Sequence, residues 1–157
     1  MTVKNMKNEN TDWGQSVSGV VIYENKVLLA RHTYGGGLGK LIIPGGYVEY
    51  GETPQQALIR EYLEETGVTV EPLDIIGIRF NMHDWYIVFR ARYISGIPES
   101  DHDENSEVIW VDVDEAFNRE DVPDLTKKLI KSAISRREGL KYTEYESISH
   151  PPFSLYC

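Results

Sequence analysis

The chain has 157 residues, 41% hydrophobic and 26% charged, a composition that suits one soluble domain with a substantial core. Its net charge of −9 argues against a nucleic-acid backbone or an anionic membrane as partner. Cys157 is the single cysteine, so no intrachain disulfide forms. No apolar run spans a bilayer and the polar start is unlike a signal peptide, so the expected location is cytoplasmic.

Residues 1–12 read as a flexible lead-in. The segment "QSVSGVVIYENKVLLARH" predicts strands over Ser16–Tyr23 and Lys26–Arg31, joined by a tight turn at Glu24-Asn25. "TYGGGLGK" is a flexible glycine-rich loop without the lysine-hydroxyl ending of a phosphate-binding P-loop. "LIIPGGYVEYGE" predicts a short strand, then a turn at Gly45 and Gly46.

A helix is expected over Pro54–Thr66. Thr53 is its N-cap, Pro54 opens it, Gln56 completes a capping box, and Gly67 suits the left-handed position past its end. Glu61, Glu64 and Glu65 share one face of this helix, with Ile59 and Leu63 opposite, where they are expected to pack on a sheet. Leu58 and Tyr62 flank that pair. Taken alone, three glutamates read as a solvated face. Their place in the last turns, where the helix dipole disfavours anions, calls for a compensating cation. Arg60 supplies one charge, and hard divalent cations take carboxylate ligands.

Two strands follow, "VEPLDIIGIRF" and "WYIVFRARYI", joined by "NMHD". An acidic loop, "SGIPESDHDENS", leads to a strand "EVIWVDV", a short helix or turn "DEAFN", and a second helix within 121–139 with Leu125, Leu129, Ala133 and Ile134 near helical spacing. The tail, 139–157, shows no pattern. Strands before and after each helix indicate an α/β fold, a mixed sheet between helices.

Residues 46–68 read Gly46, five residues, Glu52, seven residues, Arg60-Glu61, two residues, Glu64-Glu65, one residue, Gly67. At typical residue frequencies this pattern arises by chance at a given start roughly once in 10⁸ to 10⁹. It resembles the Nudix box, the signature of the Nudix hydrolase family. Tyr62 is bulkier than the aliphatic residue usual there, and Leu41 stands where many members carry tryptophan. "LIIPGG" and "EVIWVDVDEA" are similar to family segments on either side, so the resemblance covers Gln15 to about Arg137. It implies a Nudix-type α/β/α sandwich, with the domain over 13–138.

The resemblance further implies hydrolysis of a diphosphate bond, with two or more Mg²⁺ or Mn²⁺ ions. The substrate would be a small nucleotide: a nucleoside diphosphate derivative such as ADP-ribose or another nucleotide sugar, or a nucleoside triphosphate. Glu61, Glu64 and Glu65 match metal-binding glutamates, and Gly45 a position whose carbonyl completes the metal sphere. Arg60 matches the arginine that orients the cluster, and Glu52 the glutamate that braces it. The general base is open among Glu61, Glu64 and a loop carboxylate: Glu104, six residues before Trp110, with Glu107 the runner-up. For substrate binding the candidates are Arg31, Tyr47, Phe80 and Trp85, beside Tyr34, Arg79, Arg90, His83 and His102. A homodimer is a further expectation, as in many members. Two alternatives stand beside it: an isomerase on the same fold, disfavoured because Cys157 lies outside the domain, and a non-catalytic nucleotide-sensing domain, disfavoured because the box is intact.

Overall fold

The computed structural model describes residues 14–157; the lead-in over 1–12 lies outside them. The strands are β1 (Gly14–Tyr23), β2 (Lys26–His32), β3 (Leu41–Ile42), β4 (Gly45–Tyr47), β5 (Thr69–Phe80), β6 (Asp84–Ser95), β7 (Asn105–Asp112), β8 (Leu140–Thr143) and β9 (Leu155–Tyr156). The helices are α1 (Pro54–Thr66), α2 (Val113–Asn118) and α3 (Asp124–Ile134). No described helix is long and apolar enough to cross a membrane.

The strands run in the order β3-β2-β1-β6-β5-β8-β9, with β4 also paired to β1 and β7 to β2. The β1–β6 pair is parallel and its neighbours are antiparallel, so the sheet is mixed, as expected. Both faces are apolar because both are covered. Val17 and Val21 of β1, Leu28 of β2 and Phe89 of β6 pack with Leu58 and Tyr62 of α1. Val20, Leu29 and Val88 pack with Leu129, Ile130 and Ala133 of α3. The β1–β2 turn holds Glu24 and Asn25 at φ of 50° and 61°, the left-handed pair that matches a two-residue hairpin to the strand twist.

One edge of β1 serves two partners. Its first half pairs with β4, Ser16 opposite Tyr47 and Ser18 opposite Gly45, and its end pairs with β2. The two glycines expected in a turn therefore lie in a strand. A Cβ on Gly45 would stand 2.0 Å from the carbonyl oxygen of Val17. Glycine lets β4 close on β1 at that point.

Helix α1 has the predicted ends. Thr53 accepts from the Gln56 N–H, the Gln56 side chain accepts from the Thr53 N–H, and Gly67 closes the helix at φ 72°. Its buried face is not the expected one. Ile59 and Leu63 are exposed, whereas Ala57, Leu58, Tyr62, Glu65 and Thr66 are buried. The Tyr62 hydroxyl, which cannot be buried unpaired, donates to Gly19 O at 2.6 Å. In α3, Leu125 and Ile134 are likewise exposed, and Thr126, Leu129, Ile130 and Ala133 face the sheet.

The patternless tail adds strands. Strand β8 extends the sheet beside β5 and pairs with β9. Asp74 accepts from the Gly139 N–H and pairs with Arg90, and Tyr156 meets Phe89 edge-on at 5.5 Å.

Candidate active site

Where β4 crosses the end of α1, three carboxylates converge. Oxygens of Glu61, Glu65 and Glu104 all lie within 4.8 Å of one another. Glu61 and Glu65 are one turn apart on α1. Glu65 is 4% exposed, at the centre of the helix's buried face. Glu104 comes from the loop before β7. Thr33 holds that loop by donating from its N–H to Glu104 O and from its hydroxyl to Asp103 O, and Asn105 donates to Glu65 O at 2.9 Å.

The cluster is electrostatically strained. Burial, contact with Glu104 and the charge of Glu61 push the Glu65 carboxyl well above the usual carboxylate range. Burial raises Glu61 too, against the opposing pull of Arg60. Three oxygen donors with a surplus of negative charge fit a hard divalent cation, which would relieve both the repulsion and the desolvation.

Arg60 organises the cluster from behind. It grips Glu52 with Nε at 3.1 Å and Nη2 at 2.6 Å, donates to Glu61 at 2.7 Å and Glu64 at 3.3 Å, and ties to Tyr47 O at 3.0 Å. These partners hold its guanidinium firmly charged. Glu52 also accepts from the Glu49 N–H, fixing the loop before α1. Glu64 is exposed on the outer side of Arg60, outside the convergent set. Gly45 points its N–H toward Glu65 at 3.4 Å.

Gly46 is where strand and cluster touch. A Cβ there would stand 2.3 Å from the carboxyl carbon of Glu61. Because that atom ends a flexible side chain, Gly46→Ala should fold normally and displace Glu61. We expect any activity that depends on this cluster to fall about 10²-fold, as ångström-scale misplacement does, with an unchanged melting temperature in metal-free buffer.

Two of the carboxylates, Glu61 and Glu104, line a cavity of about 670 Å³. Tyr47 stands exposed at its mouth, and Tyr34 leans toward the carboxylates while stacking on His32 at 5.7 Å. Arg31 is elsewhere, held by Glu107 at 2.9 Å and Asp121 at 3.1 Å. Phe80 and Trp85 pair edge-to-face at 5.5 Å at the end of the β5–β6 hairpin, off the cavity lining. Arg90 is bound to Asp74. The lining instead includes Ser16, Asp84 and Tyr86, with Arg79 beside them. Strand alternation was the available signal: Asp84, Tyr86 and Val88 share a face that Trp85 does not.

The NUDIX domain profile matches residues 13–133. The chain belongs to the Nudix family. It is 37% identical over 106 residues to a MutT-like protein of Streptomyces ambofaciens, covering 66% of this chain and 67% of that one. It is 31% identical over 130 residues to the NAD-capped RNA hydrolase NudC of Vibrio atlanticus (strain LGP32), covering 78% of this chain but 46% of the relative. The chain thus spans about half the length of that relative. A NUDIX hydrolase from Nitrosomonas europaea superposes with a TM-score of 0.71 at 24% identity, over 81% of this chain and 92% of that one. The Nudix box therefore maps onto β4, the following loop, α1 and its glycine cap.

Proposed function

We propose that this Nudix protein hydrolyses the diphosphate bond of a small nucleotide in a reaction dependent on Mg²⁺ or Mn²⁺. The substrate is a nucleoside diphosphate derivative, such as a nucleotide sugar, or a nucleoside triphosphate. The observation that carries this reading is the convergence of Glu61, Glu65 and Glu104, of which Glu61 and Glu104 line a cavity of about 670 Å³. The relatives are named as MutT-like and as a hydrolase of NAD-capped RNA, names that agree with a nucleotide diphosphate substrate.

Glu61 and Glu65 would hold the cations from the helix, and Glu64 would serve an additional ion once freed from Arg60. Bound divalent ions neutralise the diphosphate and lower the pKa of water. Glu104, on a loop, is the carboxylate we assign to take the proton from water. Arg60 keeps Glu61 aimed inward, and Glu52 keeps Arg60 in place. Tyr34 and Tyr47 screen the reacting groups from solvent at the mouth.

The test is a panel of nucleoside triphosphates and nucleotide sugars incubated with Mg²⁺ or Mn²⁺, with products separated by chromatography. Cleavage that requires metal and disappears in Glu61→Gln is the expected result. Nucleotide binding with no cleavage of any compound would favour a sensing domain instead.

A further inference from the structure

The same cavity carries a second polar set, from β1, β5 and β6. Asp84, 8% exposed, accepts from Arg79 Nη2 at 2.7 Å through one carboxylate oxygen and from the Ser16 hydroxyl through the other. The Arg79 guanidinium lies over the Tyr86 ring at 5.2 Å, and its Nε–H is buried without a hydrogen-bond partner. All four residues line the cavity. Apolar side chains from the other side, Ile43, Leu125 and Leu129, close the same space.

The register places this set along the sheet. Ser18 stands opposite both Gly45 and Val88, and the Gly45 N–H reaches Glu65, so the carboxylate cluster sits at that row. The Asp84 carboxylate reaches the Ser16 hydroxyl, and Ser16 is two residues before Ser18 on β1, roughly 7 Å along the strand at 3.3 Å per residue. A nucleotide whose diphosphate lies at the carboxylates is long enough for its nucleoside part to reach this set. The apolar walls suit a flat heterocycle. Asp84 has used one lone pair on each oxygen, leaving capacity for two N–H donors, and Arg79 has an N–H in need of an acceptor. A 6-oxopurine edge offers two N–H groups beside a carbonyl oxygen. A 6-aminopurine edge offers one such N–H beside a ring nitrogen.

We propose that Asp84 and Arg79, backed by Ser16 and Tyr86, read the nucleobase and select guanine over adenine. This rests on the cavity being the nucleotide site proposed above.

The test compares kcat/KM for GTP and ATP, and separately Kd for GMP and AMP without metal, in the parent protein, Asp84→Asn and Arg79→Gln. The parent should favour guanosine by about ten- to hundredfold, the value of one or two hydrogen bonds to charged groups. Both variants should bring the ratio toward one, acting mainly through KM. Asp84 is buried, so Asp84→Asn is interpreted only if its melting curve is intact; Arg79 is partly exposed, and its variant keeps the Ser16–Asp84 bond. Equal kcat/KM for the two nucleotides, or variants that weaken both equally, would overturn the proposal. Absence of cleavage with a retained GMP preference would overturn the hydrolytic reading and leave the base reading standing.

Discussion

Glu65→Gln should lose at least about 10³-fold in hydrolysis, because it removes the most buried of the proposed cation ligands and with it several kcal/mol of transition-state charge stabilisation. The same change should leave the metal-free protein as stable as the parent or more so. Burial and the neighbouring Glu61 and Glu104 favour the protonated Glu65 carboxyl in the metal-free protein, and an amide of the same shape keeps that position neutral. The stabilising effect of added Mg²⁺ on the melting temperature should disappear as well. These three shifts separate a ligand from an ordinary core residue. A structural role would show a lower metal-free melting temperature, with loss of activity in proportion to unfolded protein.

Arg60→Ala acts the other way. It leaves Glu52 and Glu61, both largely enclosed, without their cation. Breaking a buried pair costs about 3–5 kcal/mol. Arg60 keeps some solvent access, which screens the loss, so roughly 2–4 kcal/mol is expected in chemical denaturation. Activity should drop about 10- to 100-fold at temperatures where the protein remains folded, the usual effect of losing a group that orients metal ligands. Arg60→Lys should recover part of the stability. It should recover little activity, since an ammonium cannot grip Glu52 with two nitrogens and reach Glu61 and Tyr47 O together. Equal rescue of both properties would mean that the charge alone matters.

Helix α1 was legible from the sequence because its signals are local. The capping pair Thr53–Gln56, the proline at its start and Gly67 at its end act within one turn of their own position. Its orientation was not legible. Placing the acids toward water puts Ile59 and Leu63 inside, whereas Glu65 lies in the buried arc with Glu61 half-buried beside it, and those two apolar residues turn out. The proposed metal site accounts for this departure from the amphipathic pattern.

Pairings distant in sequence were hidden for a different reason. Arg31 and Arg79 both stand near strand ends, and nothing local says that Glu107 and Asp121 occupy the first while the second faces the cavity. The β8–β9 pair depends on an open edge of β5 more than sixty residues earlier and on Asp74 meeting the Gly139 N–H. The box gave Glu61 and Glu65 their expected neighbourhood, and Glu104 joined them through a loop fixed by Thr33 and Asn105. Glu64, equally prominent in the sequence, lies outside that set.

The most direct measurement is the electron paramagnetic resonance signal of Mn²⁺ titrated into the protein and into Glu65→Gln, without nucleotide. The carboxylate-site account predicts that the parent protein quenches the signal of free Mn²⁺ with saturable stoichiometry, and that the variant binds at least about tenfold more weakly. Identical titration of parent and variant, or no loss of free Mn²⁺ signal in either, would contradict it.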